Sequence, residues 1–163
     1  MSSTFDRQPW QDPAVIAQTQ RLIDSFRHWT GRELVDCIGK ATPADQARAL
    51  FDAPFVVVAD GLEPDPVLNY GNKMALALWE MDWTQLTRTP SRQTAEPGFQ
   101  PERAQRMAQV AAHGFIDTYS GVRISSSGRR FMIEKATVWV VIDSQGNKFG
   151  KAATFAEWRY LPA

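Results

Sequence analysis

Residues 114–158 read GFIDTYSGVRISSSGRRFMIEKATVWVVIDSQGNKFGKAATFAEW, and this stretch decides the fold. Ser126-Ser127-Gly128 and Asp143-Ser144-Gln145-Gly146-Asn147 are turn sequences, rich in residues that accept positive φ or bond their own backbone. They divide the stretch into three strand-like runs: Phe115 to Ile124, Arg129 to Ile142, and about Lys148 to Trp158. Runs joined by turns this short pair as antiparallel neighbours, which makes a three-stranded meander. Phe115 and Tyr119 share one parity while Val122 and Ile124 share the other, which predicts a bulge at Ser120-Gly121. Glu134 and Lys135 interrupt an otherwise apolar strand, so one of them is expected on the sheet's inner side or its helix-covered edge.

Upstream of the meander lie helices and two further strands. Asp12-Pro13 is a helix start, with a capping carboxylate before a proline at the first helical position. Val15, Ile16, Leu22, Ile23, Phe26 and Trp29 recur at helical spacing, and Gly31 is a natural stop. This apolar stripe needs a partner, either its own domain or a second subunit. Thr42-Pro43 repeats the start signal for a shorter helix carrying Ala47, Leu50 and Phe51. Phe55 to Ala59 is apolar at every position, the mark of a strand covered on both faces. A second short strand follows at Val67 to Tyr70, then a helix carrying Ala75, Leu78 and Trp79 and a further helical turn at Trp83 to Leu86. Pro90 to Pro101 is a proline-rich loop, and Glu102 to His113 is a helix whose inner face is expected to hold Ala104, Met107, Val110 and Ala111.

Two strands, a helical crossover and a three-stranded meander form the plan of a PAS domain. The fold class is therefore α+β: a five-stranded antiparallel sheet in order 2-1-5-4-3, crossover helices on one face and an N-terminal helical extension. Residues 1–48 are assigned to the extension and 49–163 to the PAS-like domain.

The words of the sequence match a family as well as its rhythm. Leu68-Asn69-Tyr70-Gly71-Asn72, Leu78-Trp79-Glu80, Pro90-Ser91-Arg92, Thr94-Ala95-Glu96, Gly114-Phe115-Ile116-Asp117, Tyr119-Ser120-Gly121, Arg123-Ile124-Ser125-Ser126, Gly128-Arg129-Arg130-Phe131, Ala136-Thr137-Val138-Trp139 and Ala152-Ala153-Thr154-Phe155 resemble the MEKHLA domain over roughly Ala49 to Trp158. That family includes stand-alone bacterial proteins, notably cyanobacterial ones, and the C-terminal domain of plant class III homeodomain-leucine-zipper transcription factors. With no homeodomain or zipper in this chain, the resemblance is to the stand-alone kind. It implies a PAS-like sensory or regulatory module, a role in dimerisation, and no established catalytic residue or cofactor.

Composition narrows the function classes. Eighteen basic and eighteen acidic residues give zero formal net charge, which argues against a nucleic-acid partner and its basic stripe. The apolar runs, such as Val138 to Ile142, are far shorter than a membrane span, so no membrane partner is expected. Asp6, Arg7 and Gln8 stand where a signal peptide would need apolar residues, and the single cysteine forms no internal disulfide; the expectation is a cytoplasmic protein. Cys37 reads as a small structural thiol, since it precedes the first strand and lacks the Asn-Cys-Arg setting of flavin-binding light sensors. His28 and His113 are too isolated for a metal or haem site, and no Gly-x-Ser-x-Gly elbow or phosphate-cradling loop occurs. No cofactor and no catalytic residue is expected.

The candidate ligand-binding residues are Arg92, Tyr119, Arg123, Glu134 and Trp139. Tyr119 and Trp139 offer apolar walls with polar tips. Arg92, Arg123 and Glu134 offer orienting charges for a small ligand, with arginine favouring an anion. The competing structural account pairs Arg92 or Arg123 with Glu134 to pin the crossover loop to the sheet. Gly150, Ala152, Ala153 and Thr154 are small and leave room above a central strand. The leading function is non-enzymatic sensing through a pocket between sheet and crossover helices. The alternatives are a dimerisation module with a filled core, pairing as a homodimer through the N-terminal helix, and a small enzyme acting on a compact polar substrate.

Overall fold

A computed structural model describes residues 8–36 and 41–162, so Cys37 lies outside the described residues. Helix α1 spans Pro13–Thr30; the Asp12 carboxylate accepts from Ala14 N at 2.8 Å, and Gly31 ends the helix at φ 73°. Helix α2, Pro43–Phe51, opens with a reciprocal capping box between Thr42 and Asp45. Strands β1 (Val56–Asp60) and β2 (Leu68–Gly71) follow, then α3 (Lys73–Trp79), α4 (Trp83–Leu86) and α5 (Gln100–His113). Strands β3 (Phe115–Ile124), β4 (Arg130–Ile142), β5 (Lys148–Phe155) and β6 (Glu157–Tyr160) complete the chain. The antiparallel order is β2-β1-β5-β4-β3, the expected one, with β6 added against β4.

The sheet is covered on both faces, as the all-apolar β1 requires. Its inner face carries Val56, Tyr119, Phe131, Ile133, Ala136, Val138, Val140 and Phe155 against Ala75, Leu78, Trp79 and Val110 of the crossover helices. Its outer face carries Val57, Ala59, Trp139, Val141 and Ala152 against Leu22, Ile23 and Phe26 of α1 and Leu50 of α2. The α1 stripe thus packs on its own sheet, and it is not left bare for a second subunit. Burying Leu22, Ile23 and Phe26, each at 5% exposure or less, contributes about 1.5–3 kcal/mol apiece as an upper bound.

Two bulges set which side chains face inward; one register shift falls at the expected place, beside Ser120-Gly121, but with its extra residue in the facing strand, and the other is unexpected. Between the pairs Ile116↔Val138 and Tyr119↔Ala136, β3 holds one extra residue, and Thr118 there has φ 52°. Between Tyr119↔Ala136 and Gly121↔Ile133 the extra residue is in β4, where Lys135 has φ 56°. The β3 bulge therefore lies before Tyr119, not at Ser120-Gly121, and Phe115 and Tyr119 fall on opposite faces. The β4 bulge lets Glu134 and Lys135 both avoid the interior, so neither is forced inward. The last strand also breaks: a bend at Ala156 ends β5, and β6 continues along β4 from Phe131↔Tyr160 to Glu134↔Glu157.

Two family words turn out to be structural joints. Asn72 is fully buried: its Oδ1 accepts from Val57 N (3.0 Å) and Ala75 N (3.2 Å), while Nδ2 donates to Phe55 O (2.8 Å) and Leu50 O (3.1 Å). One amide thus ties α2, β1 and the start of α3. Glu80 ends α3 at φ 57° and takes the hydroxyls of Ser125 (2.6 Å) and Ser127 (2.5 Å) on its carboxylate, clamping the crossover to the β3–β4 hairpin.

Candidate functional site

A cavity of about 60 Å³ opens between the inner face of the sheet and the crossover. Val58, Val138 and Ala153 contribute from the central strands; Ala153 is one of the small residues expected to leave room there. Leu68, Met107, Ile133 and Phe155 add apolar wall, and Trp79 closes one side. The indole Nε1 of Trp79 is buried and has no hydrogen-bond partner among the described residues.

Polar groups converge on this apolar frame. Ser91 and Thr94, both buried, come from the turn at the head of the proline-rich loop. Arg123, 7% exposed, donates through Nη2 to the Tyr119 hydroxyl at 2.9 Å and through Nη1 to Val122 O at 2.9 Å. Gly121 lies between them on the same face of β3: a Cβ there would stand 2.6 Å from the Tyr119 oxygen and 2.9 Å from Arg123 Nη1. The glycine therefore makes room for the Tyr119–Arg123 pair. Arg103, on α5, donates to Ser91 Oγ at 3.1 Å. Burial, and then the neighbouring Arg123 charge, hold the Arg103 guanidinium below its ordinary pKa, while Asp60 opposes them. Asp60 is itself held by Lys151, through the backbone N–H at 3.1 Å and Nζ at 3.8 Å.

The structure gathers two of the five residues expected at a ligand site, Tyr119 and Arg123, on the cavity wall. The other three lie elsewhere. Arg92 pairs with Asp65 at 3.0 Å, with both side chains about half exposed. Glu134 pairs with Arg159 at 3.6 Å on the solvated side of β4, a consequence of the bulge at Lys135. Arg92 and Glu134 therefore form no buried pair with each other, and Glu134 pairs with Arg159, not with Arg123. Trp139 is fully buried on the outer face, packing edge-on against Phe26 (4.9 Å) and donating to Ser25 Oγ at 3.0 Å. Its position in β4 is one residue out of phase with Val138, which faces the cavity.

Ser91, Thr94 and Arg103 are the polar lining residues that sequence reasoning missed, and Arg103 is the charged one. The expected inner face of α5 named Ala104 and Ala111, and both are exposed. The stripe that faces inward is Arg103, Met107 and Val110, a regular i, i+4, i+7 series with a charged first member. Hydrophobic patterning passes over such a position. His28 and His113 are exposed, and no helix among the described residues is long and apolar enough to cross a membrane.

The sequence pattern of the MEKHLA domain matches residues 16–160. The chain belongs to the MEKHLA domain family. Its plant relatives include the homeobox-leucine zipper protein REVOLUTA of Arabidopsis thaliana, 22% identical over 153 residues, covering 91% of this chain and 18% of that protein. HOX29 of Oryza sativa subsp. indica is likewise 22% identical, over 151 residues. This MEKHLA chain thus spans under a fifth of the length of the curated relatives it matches. Among solved structures it is similar to an RNA-binding light-oxygen-voltage receptor, with TM-score 0.62, 19% identity and coverage of 77% of this chain and 36% of that one. It also resembles a PAS domain from Colwellia psychrerythraea, with TM-score 0.57, 16% identity and coverage of 71% and 93%. A fungal light-oxygen-voltage photoreceptor matches at TM-score 0.55 and 14% identity over 94% of this chain and 95% of its own. These likenesses establish the PAS fold of the MEKHLA domain. The cavity is far below the roughly 300–1,000 Å³ of sites for larger organic ligands, too small for a flavin.

Proposed function

We propose that this MEKHLA domain is a non-enzymatic sensory or regulatory module that binds a small molecule between the inner face of the sheet and the crossover. The observation that carries the reading is the meeting of Ser91, Thr94, Arg103, Tyr119 and Arg123 on one small cavity whose other walls are apolar apart from the Asp60–Lys151 pair. Apolar walls with a few converging polar groups are the ordinary make-up of a ligand site. Sensing is favoured over catalysis because the lining acid, Asp60, is engaged by Lys151 and no histidine lines the cavity. A signal has a route outward, since α3 leads through Glu80 into the β3–β4 hairpin that carries Arg123. The cytoplasm is the proposed setting.

The test combines native mass spectrometry of freshly purified protein with an Ala153→Leu variant that fills the cavity. Retained small-molecule mass in the wild type, absent from the variant, supports the reading. Equal retention in both removes the cavity from the account. The small size of the cavity favours one second reading, an interaction module with a nearly filled core. That reading predicts no bound mass in either protein and unchanged partner binding by Ala153→Leu.

A further inference from the structure

The inner face of this neutral chain holds a concentration of positive charge, Arg103, Arg123 and Lys151, that the one lining carboxylate, Asp60, offsets only in part, since it is engaged by Lys151. Arg103 and Arg123 both line the cavity, and Arg106 lies with its guanidinium 5.4 Å from the Tyr119 ring centre. Elsewhere Arg27, Arg32, Arg92, Arg130 and Arg159 each sit within 4 Å of an Asp or Glu. Among the described residues Arg103 and Arg123 form no such pair; their hydrogen bonds go to the neutral partners Ser91, Tyr119 and Val122 O. Burying one guanidinium without a counter-charge is costly, and placing a second beside it raises the cost. Negative charge placed between the two guanidinium groups would offset that cost. The room at Gly121 points the same way, since it allows Arg123 to be fixed against Tyr119 before any ligand arrives.

We propose that the ligand is a small carboxylate with a short apolar tail, its carboxylate held between Arg103 and Arg123. This deepens the reading of the cavity as a ligand site and rests on it. The guanidinium fork matches a carboxylate in plane and can bond both oxygens. The Ser91 and Thr94 hydroxyls lie on the same lining, though Thr94 already donates to Ser91 O at 2.7 Å. The tail faces Val58, Met107, Ile133 and Val138. The volume of about 60 Å³ accommodates a few heavy atoms, the size of a two- to four-carbon acid. A phosphate would meet the same two arginines but would leave the apolar wall facing a strongly hydrated ion.

The test is calorimetric titration of the full chain at fixed ionic strength with sodium propionate, its neutral isostere propionamide, and inorganic phosphate. Propionate is expected to bind and raise the unfolding temperature, while propionamide does neither. Arg103→Met and Arg123→Met, which keep the apolar stem, should each weaken propionate about tenfold or more. Gly121→Ala keeps both arginines but crowds the Tyr119–Arg123 pair, and it should weaken propionate as well. If Arg123→Met fails to fold, Arg103→Lys carries the test, because it keeps the charge and loses the fork. Propionamide binding as tightly as propionate would overturn the carboxylate inference and leave the ligand cavity standing. Phosphate binding more tightly than propionate, with loss in both arginine variants, would overturn it in favour of an inorganic anion. No binding by any probe, with no retained mass in the wild type, would overturn both the inference and the reading beneath it.

Discussion

Asn72→Ala should be among the most destabilising single substitutions in the chain. The side chain makes four hydrogen bonds at 2.8–3.2 Å, all to backbone, from a position with no exposure. Alanine keeps the main-chain bonds of residue 72, including its N–H to Val57 O at 3.0 Å. Leu50 O also keeps a partner, Ala53 N at 3.3 Å. The Val57 and Ala75 amides, which β1 and the first turn of α3 cannot satisfy internally, lose theirs. Two buried donors left unpaired cost about 1–3 kcal/mol each, and the loss of the helix cap is included in that range. Phe55 O is part-buried and can turn to water, so it adds little. The expected loss is about 4 kcal/mol, a large share of the roughly 5–15 kcal/mol of an ordinary domain. With a urea slope near 2 kcal/mol/M, the unfolding midpoint followed by circular dichroism should fall by about 2 M. Asn69→Ala is the control: Asn69 is exposed and its one side-chain bond goes to Gln18, so its loss should stay below about 1 kcal/mol. A change under about 1 kcal/mol for Asn72→Ala, with an unaltered slope, would refute the argument that these backbone groups depend on one amide.

Other expectations follow from the same geometry. The serine hydroxyls hold the Glu80 carboxyl below its ordinary value of 4.5, so the clamp contributes stability that is fully present above that pH and is lost as pH falls through the lower folded value; Glu80→Gln should flatten this acid limb of the stability–pH curve, and an unchanged limb would show that the clamp is idle. Gly150 has φ 137° and a Cβ there would stand 1.9 Å from Asp60 O, so Gly150→Ala should lower the thermal midpoint by several degrees, whereas Gly146→Ala, with open space around it, should cost less. Arg92→Ala removes a half-exposed surface pair and should change stability by less than about 1 kcal/mol while leaving ligand retention intact; a loss near 3 kcal/mol would restore Arg92 to a structural role. Deleting residues up to Gly31 uncovers the outer face around Trp139 and Val141, and light scattering should then show self-association or loss of soluble protein.

The fold was legible because its signals are local. Turn residues at Ser126-Ser127-Gly128 and around Gly146, the caps at Asp12 and Thr42, and the unbroken apolar run of β1 each act within a few residues of where they are written. Val57, Trp79, Phe131, Val138 and Phe155, from apolar runs or an apolar helical face, are all buried at 3% exposure or less. The candidate site was half legible. Tyr119 and Arg123 could be singled out as polar residues inside an apolar strand. Arg103 was hidden in a helix where a charge at an inward position looks like any solvated charge.

What the sequence determined by itself was the main helices, the five strands without the separate β6, their antiparallel order and the family. Those rest on periodicity and turn chemistry, which the chain carries from end to end. What tertiary structure alone decided was the facing of individual side chains. A bulge of one residue at Thr118 and another at Lys135 reverse the inward parity of β3 and β4, which turns Tyr119 inward and Glu134 out. Strict alternation keeps Trp139 behind the sheet while Val138 faces the cavity. Only packing brings Arg103 of α5 over Arg123 of β3, twenty positions away in the chain. The side-chain period of a strand is two residues, so one inserted residue moves a side chain from the cavity to the solvent, and no composition or motif records where the chain will place it.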